Sequence, residues 1–547
     1  MKSYGIYLAY PPDVDLRGEG LGRHLAMFLK GAEKVGDVKF TIVCPSWSKK
    51  TLELLFHGEG VDSATFEIRS PEGEPYILRL FQSIRTLKSK GGRFFGIFQK
   101  LKALLSDGAG FIWLRLVVGV VSVRGSYSLF MFIGETIFWL ILLLPIFALL
   151  LPLVLFLGVA GVLKLIVRAK HLLPEWIFLL LRQINELIIK PERNNKILRV
   201  FEKMQDVEIS RMQGVINGLK EINAWYCPTA FWPEVNEINK PKIICVPDVV
   251  VSNFPVEFSR VGGDWAFHSF RKIEQTISDG DFFVTYSETT KWTTLVDRYG
   301  VSPERVKVIR HAPNALNSWI DAGGPSPSEK MTKAYCLMLL DEAFARNSQA
   351  LYIGALDSPE FKYIFYASQV RPNKNIMTLL RAYNYLLKRR FVGVKLFLTG
   401  NPASMPEVGN FVRQNGLDRD VVFLQNLTVS ELAAAYKMAT LAVNPSLSEG
   451  GCPFTFSEAL SVGTPVVMSR ISVAEEVLRN EELQKITFFD PYDWKDCANR
   501  IEWGLSHTEE LLLIQEKTYA ELQERTWADV VGEYVEFLEF VSQKSGS

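Results

Sequence analysis

Residues 445–467 read PSLSEGGCPFTFSEALSVGTPVV, and this stretch decides the fold of the chain. The apolar run before it predicts a buried strand, and the Gly450-Gly451 loop leads into a helix that begins near Phe454. Backbone amides at the start of a helix have no partner within the helix and attract anions. Glu449 and Glu458 flank these amides, and carboxylates accept hydrogen bonds from hydroxyl groups. The pattern therefore predicts a site for a phosphate that lies between two polyols, as in a nucleotide-sugar.

This stretch resembles the signature of the retaining GT-B glycosyltransferases of the fourth family, which includes many mannosyl-, glucosyl- and N-acetylglucosaminyltransferases. In that family, two glutamates stand eight positions apart, whereas Glu449 and Glu458 are nine apart. We expect the additional residue to lie in the loop of residues 450–453. The resemblance implies that Glu449 contacts the transferred sugar and Glu458 the ribose. It also implies a donor-binding loop made of Gly450, Gly451, Cys452, Pro453 and Phe454. The alternative is an ordinary strand–loop–helix unit of another α/β protein.

Two further segments resemble parts of the donor site in this family. After the strand predicted at 361–368, Lys374 keeps the register of the family's lysine, while Arg371 replaces an arginine that is Gln369 here. These two cations would bind the diphosphate, and solvated turn charges are the alternative. Near the N-terminus, Gly20 and Gly22 resemble the glycine loop that lies against the diphosphate, although a plain Rossmann turn explains both glycines equally well.

One residue is predicted on the acceptor side of the cleft. The apolar runs at 224–227, 243–247 and 282–287 stop at polar residues, as buried parallel strands do at their carboxyl ends. They resemble strands of the family's N-terminal lobe. Many members have His-Asp after the middle strand, and this chain has Pro247-Asp248. We expect Asp248 either to orient the acceptor hydroxyl or to cap a helix.

The alternation of strands and helices predicts an α/β protein with the GT-B fold, in which two Rossmann-like, doubly wound lobes face a cleft. The first lobe is expected at 1–84 and 201–320, with an inserted helical region at 85–200. A connection at 321–360 leads to the nucleotide-sugar-binding lobe at 361–526. A final helix at 527–547 is expected to pack back on the first lobe.

The insert contains the most apolar part of the chain. Residues 136–163 carry no charge, and Glu135 is the only charged residue of 125–163. A stretch without charge that exceeds ~18 residues is typical of a membrane-embedded segment. Because strands of one sheet lie on both sides of the insert, both of its ends must be on the same face of the bilayer. We therefore predict a hydrophobic hairpin at about 125–163 that either spans twice or is re-entrant; a buried helical core is the alternative.

Composition excludes several other classes of protein. The 547 residues carry a net charge of +1, so no global field indicates a nucleic-acid partner. The six cysteines have neither zinc-site nor disulfide-framework spacing, and no Asp-x-Asp follows a strand where it could hold a metal. The N-terminus reads as a strand rather than a signal peptide. We expect no cofactor and no metal.

These observations predict a metal-independent, retaining hexosyltransferase. Its donor would be a nucleotide-diphosphate sugar, and its acceptor a lipid-linked saccharide or glycolipid in the phospholipid bilayer. Both lobes would lie on the cytoplasmic face of the cytoplasmic membrane, in the synthesis of a cell-surface polysaccharide or glycolipid. The alternative is a catalytically impaired GT-B-like membrane scaffold that only binds a nucleotide-sugar.

Overall fold

The computed structural model describes residues 2–76 (without 13, 15 and 17–19), 78, 123–134, 136, 196–321 (without 263), 328–347 and 361–544. Most of the predicted insert at 85–200 lies outside these residues, and the predicted hairpin at 125–163 is described only at 125–134 and 136. Across the described ranges, no helix is both long and apolar enough to cross a membrane.

The first lobe is built on a seven-stranded parallel sheet in the order β3-β2-β1-β4-β5-β6-β7. The order reverses between β1 and β4, and open α/β sheets bind ligands beyond the carboxyl ends of the strands at such a point. The strands are β1 Lys2–Tyr7, β2 Val38–Val43, β3 Phe66–Arg69, β4 Trp225–Cys227, β5 Lys242–Cys245, β6 Phe282–Thr285 and β7 Val306–Val308.

Helices connect these strands and cover the sheet. They are α1 Gly20–Val35, α2 Lys49–Gly58, α3 Lys196–Gly218, α4 Val250–Asn253, α5 Pro255–Gly262 and α6 Asp264–Asp279, followed by a π-helix at Thr290–Val296. Short 3₁₀ helices lie at Pro233–Glu237, Pro303–Arg305 and Asn317–Trp319.

The second lobe has a six-stranded parallel sheet in the order β10-β9-β8-β11-β12-β13. Its strands are β8 Tyr363–Tyr366, β9 Lys395–Leu398, β10 Val421–Phe423, β11 Leu441–Asn444, β12 Val466–Ser469 and β13 Phe488–Phe489. Its helices are α7 Glu329–Arg346, α8 Ile376–Arg389, α9 Pro406–Gln414, α10 Val429–Lys437, α11 Phe454–Leu460, α12 Ser472–Val477, α13 Glu481–Thr487, α14 Trp494–Ser506 and α15 Thr508–Gln523. Two 3₁₀ turns lie at Pro372–Lys374 and Pro402–Ser404. The predicted arrangement of two parallel-sheet, Rossmann-like lobes is confirmed.

The last helix, α16 (Trp527–Lys544), packs on the first lobe. The ring of Tyr534 meets the rings of Phe28 and Tyr226 edge-on at 5.3 and 4.9 Å. At Gly31, a Cβ atom would lie 2.3 Å from the carbonyl oxygen of Trp527, so only glycine allows α1 and α16 to approach this closely. The chain thus crosses from the second lobe back to the first at its end.

Candidate active site

The two lobes meet at the loop between β11 and α11. The Ser287 hydroxyl, which follows β6, donates to the carbonyl of Gly450 at 3.2 Å. A Cβ atom at Gly450 would lie 2.4 Å from the carbonyl oxygen of Pro247, and one at Gly451 would lie 3.1 Å from Nε2 of His311. Two consecutive glycines therefore let this loop pack closely against the first lobe, and the position of the additional residue stays a prediction.

Glu449 and Lys374 are held together in the cleft. Nζ of Lys374 donates to Oε1 of Glu449 at 2.6 Å. Asn373 ties their two loops, since its carbonyl accepts from the Leu447 amide at 2.8 Å and its side-chain amide donates to Ser448 at 3.2 Å. Burial alone lowers the pKa of Lys374, but the charge of Glu449 raises it above its usual value. The predicted sugar-side glutamate and phosphate-side lysine are thus brought together, with the lysine charged.

Asp248 of the first lobe faces this pair across the cleft. Burial, together with the charge of Glu449, raises the pKa of Asp248 to about 6, while Lys374 and Arg371 oppose that shift. Asp248 also accepts a hydrogen bond from the backbone at Val250, in the first turn of α4. Both predicted environments of Asp248, the cleft and the start of a helix, are therefore present. Arg371 and Lys374 are thus both near enough for their charges to act on Asp248.

Glu458 lies on α11, is almost fully buried, and receives contacts from the first lobe. Nη2 of Arg23 lies 2.9 Å from its Oε1, and Nδ2 of Asn314 lies 3.4 Å from the same atom. Burial lowers the pKa of Arg23, but the charges of Glu458 and Glu59 raise it above its usual value. Sequence reasoning placed Arg23 in the N-terminal glycine motif but did not foresee its contact with Glu458, and it gave no role to Asn314. Arg23 directly follows the Gly20-Leu-Gly22 motif, and this adjacency was the one available signal.

The two glycines of the N-terminal motif have different surroundings. A Cβ atom at Gly22 would lie 2.1 Å from the carbonyl oxygen of Leu16, so the turn into α1 requires glycine there. Gly20 is the first residue of α1 and has open space around its Cα. Contact of either glycine with a diphosphate stays a prediction.

Aromatic side chains of the first lobe contact the loop of residues 450–454. The rings of Phe454 and His311 lie 4.3 Å apart, and the hydroxyl of Tyr286 contacts Nε2 of His24 at 3.3 Å. Burial lowers the pKa of His24 to about 3 and that of His311 to about 4, so both imidazoles are neutral near pH 7. Burial likewise raises the pKa of Cys452 to about 12, which keeps its thiol protonated. Pro453 directly precedes α11 and fixes its start.

The second lobe, which carries Lys374, Glu449 and Glu458, resembles a known protein family. Residues 354–521 match the family model described as "Glycosyl transferases group 1". The match covers most of the second lobe, which is therefore similar to a group 1 glycosyltransferase domain.

Two known glycosyltransferases are similar in sequence to part of this chain. The serotype-specific mannosyltransferase WbdA of Escherichia coli is 30% identical over 175 residues, which is 31% of this chain and 20% of that protein. An uncharacterised glycosyltransferase of Methanocaldococcus jannaschii is 27% identical over 247 residues, 44% of this chain and 56% of that protein. The chain thus spans a fifth and just over half of these relatives' lengths.

A solved structure resembles the whole chain in fold. The N-terminal domain of the trehalose-6-phosphate phosphatase of Candida albicans superposes with a TM-score of 0.53 at 11% identity, over 99% of this chain and 97% of that one. At this identity, the likeness concerns the two-lobed fold alone.

The second lobe also contacts the first lobe outside the site. The carboxylate of Glu476, on α12, accepts from the amides of Glu288 and Thr289 at 3.0 Å each and from Arg310 at 3.0 Å. Burial raises the pKa of Glu476, but these hydrogen bonds outweigh burial and hold it below its usual value. Because these donors belong to the first lobe, Glu476 links the two lobes at a second place.

In the parts of the chain that the structure describes, His, Cys, Asp and Glu side chains form no group of three or more that could hold a metal ion. Metal-independent transfer stays a prediction.

Proposed function

We propose that this protein transfers a hexose from a nucleotide-diphosphate sugar to a hydroxyl of a lipid-linked saccharide or glycolipid, with retention of the anomeric configuration. The observation that carries the proposal is the pairing of two carboxylates with two cations inside the cleft. Glu449–Lys374 and Glu458–Arg23 lie on either side of the loop of residues 450–454. A carboxylate at each end and positive charge near the loop suit a sugar, a diphosphate and a ribose in that order.

In the proposed reaction, the bond between the anomeric carbon and the diphosphate oxygen breaks, and the diphosphate leaves with the electron pair. Negative charge develops on that oxygen, and fixed cations and amides near it lower the barrier. Lys374, Arg371 and the amides of residues 450–454 would supply this stabilisation without a metal. Glu449 would orient the transferred sugar, and Glu458 the ribose.

The acceptor hydroxyl would then bond to the anomeric carbon on the face that the diphosphate leaves, which retains the configuration. Its proton must be taken up as the new bond forms. Asp248 lies on the acceptor side and would orient this hydroxyl. The oxygen of the departing diphosphate would accept the proton.

The lipid nature of the acceptor is supported by the sequence. In the sequence, the uncharged residues 136–163 stand between segments of the first lobe, which is the expected acceptor-binding lobe. A membrane segment there would bring a lipid-borne hydroxyl to the cleft from the cytoplasmic leaflet. The donor base and sugar stay open, and the WbdA relative, named a mannosyltransferase, makes GDP-mannose a first candidate to test.

A panel of GDP- and UDP-sugars tests the proposal. Purified full-length protein should be stabilised against heat by one of them and should hydrolyse it slowly, because water can replace the acceptor. The hydrolysed sugar should first appear in the anomeric form that it had in the donor. Binding of a nucleotide-sugar with neither hydrolysis nor transfer would indicate the non-catalytic scaffold, and binding of none would contradict the proposal.

A further inference from the structure

The carboxyl edge of the first sheet carries an exposed surface that the donor site does not use. Helices α4, α5 and the first turns of α6 follow β5 there, and they enclose a small cluster of Val251, Phe258 and Ala266 that is separate from the main core. Because this unit has its own small core, its outer face does not serve the packing of the sheet.

That outer face combines apolar and basic side chains. Val256, Val261 and Phe267 are 63%, 41% and 56% exposed. Arg260 and Arg271 lie among them and are exposed, and the guanidinium of Arg271 lies 5.2 Å from the centre of the Phe267 ring. We call these five residues the basic–apolar ridge. Helix α5 also carries a carboxylate, Glu257, which is exposed.

A second aromatic–cation pair lies at the same edge of the sheet. Trp292, in the π-helix that follows β6, is exposed, and Nζ of Lys291 lies 5.5 Å from its ring. Arg298, just beyond this helix, donates to Ser252 and Asn253 of α4 at 2.7 and 2.9 Å, which ties the two units together. Aromatic rings beside arginine or lysine are the combination that favours the boundary between lipid headgroups and acyl chains.

The described end of the insert leaves from this edge as well. Arg124 donates to the carbonyl of Gly73, beyond β3, at 2.9 Å and to the hydroxyl of Ser46, beyond β2, at 3.3 Å. The helical residues 126–134 that follow expose Phe130 at 75% and Tyr127 at 79%. β2 and β5 are three strands apart in the sheet, a distance of about 15 Å. Residues 126–134 and the ridge therefore both follow strands that end at the carboxyl edge of the first sheet.

We propose that the basic–apolar ridge is a membrane-contact surface that binds anionic lipid headgroups and seats the first lobe on the bilayer. Arg260 and Arg271 would pair with lipid phosphates, while Val256, Val261 and Phe267 enter the headgroup region. The ridge begins eight residues after Asp248, so this contact would bring the acceptor side of the cleft to the lipid surface. That last consequence rests on the proposed function; the contact itself does not.

The experiment uses full-length protein with a single environment-sensitive fluorophore. Phe267→Cys places the label on the ridge, and Phe391→Cys, at an 84% exposed residue of the second lobe, is the matched control. Five of the six native cysteines are buried and Cys452 is partly buried, which limits background labelling. The protein is mixed with phosphatidylcholine vesicles, with or without phosphatidylglycerol.

The label at 267 should shift to the blue and be quenched by spin-labelled lipid on anionic vesicles, and the label at 391 should do neither. Replacing Arg260 and Arg271 by glutamine should lower that contact by roughly fivefold for each charge removed, and added salt should act in the same direction. The proposal is overturned if the label at 267 stays as hydrated as that at 391 while the protein floats with the vesicles. It is also overturned if the label becomes buried without vesicles as the protein dimerises, which would make the ridge an interface between two copies.

Donor hydrolysis is measured on the same samples in detergent. Normal hydrolysis with an unresponsive label at 267 contradicts the proposed membrane contact of the ridge but leaves the proposed function intact. A responsive label without hydrolysis of any nucleotide-sugar contradicts the proposed function alone.

Discussion

Replacing Glu458 by glutamine keeps the size of the side chain and removes its charge. The carboxylate side chain is only 5% exposed, and it lies 2.9 Å from Arg23 and 3.4 Å from Nδ2 of Asn314. A hydrogen bond to a charged group contributes about 1.5–3 kcal/mol. If Glu458 binds the donor ribose, the Kd of the nucleoside diphosphate should therefore rise roughly ten- to a hundredfold.

The same substitution leaves Arg23 without one of its carboxylate partners. Loss of one member of a fully buried pair costs about 3–5 kcal/mol. The side chain of Arg23 is 24% exposed and Glu59 lies nearby, so we expect a smaller loss of folding free energy, about 1–3 kcal/mol. Arg23→Gln should destabilise the protein by a similar amount. The double variant should lose less than the sum of the two, since both changes break one contact.

Calorimetric titration with the nucleoside diphosphate measures the Kd, and denaturant unfolding measures stability. Glu509→Gln is the matched control, because Glu509 is exposed on α15 and far along the chain from the cleft residues. An unchanged Kd in a folded Glu458→Gln variant would refute the ribose assignment. Strict additivity of the two single variants in stability would refute the pairing with Arg23.

Three other predictions concern the same cleft. Lys374→Ala should reduce the rate of transfer by about 10²–10³-fold, which is the usual effect of removing one hydrogen-bond donor to a transition state. Lys388→Ala, on α8, is the control and should leave the rate unchanged. Equal rates in the two variants would contradict the role of Lys374. Transfer should survive EDTA, and complete loss that Mg²⁺ or Mn²⁺ restores would contradict the metal-free mechanism. Asp248 has a pKa of about 6 in the folded protein, above the value of about 4 expected in the unfolded chain. Its carboxyl group therefore contributes to the free energy of unfolding below about pH 4, and this contribution is lost as the pH rises through 6. The difference in unfolding free energy between wild type and Asp248→Asn should therefore fall between pH 4 and 6, and a flat difference would show that Asp248 is not buried in the cleft.

The central strands could be predicted because buried strands require runs of apolar residues, which are visible in the local sequence. The buried strand predicted just before Pro445 is found at Leu441–Asn444, and the strand predicted at 361–368 is found at Tyr363–Tyr366. Strands covered on both faces must be apolar along their whole length, and such runs are visible without any knowledge of the fold.

The two edge strands of the first sheet lack such apolar runs. β3, Phe66–Arg69, and β7, Val306–Val308, lie at opposite edges of the first sheet and mix charged with apolar residues. An edge strand has one neighbour and tolerates lysine or arginine, so its sequence resembles a loop. Neither strand was predicted.

Within the candidate site, local motifs found the residues of the second lobe but not their partners. Glu458 and Lys374 stand in recognisable segments, whereas the contact of Glu458 with Arg23 joins residues that are 435 positions apart. No periodicity or spacing encodes such a pair. The contact of Glu476 with the first lobe was missed for the same reason, because backbone amides of that lobe provide two of its partners.

Transfer of a labelled sugar tests the central claim most directly. Full-length protein in lipid vesicles is incubated with a radiolabelled nucleotide-sugar, chosen from the panel, and with lipid-linked saccharides extracted from bacterial membranes. The account predicts that label moves into the organic phase in an alkali-stable glycosidic linkage of the donor's own anomeric configuration, and that Lys374→Ala abolishes nearly all of it. Label that remains entirely in the aqueous phase, from a protein that binds the same nucleotide-sugar, would contradict the account.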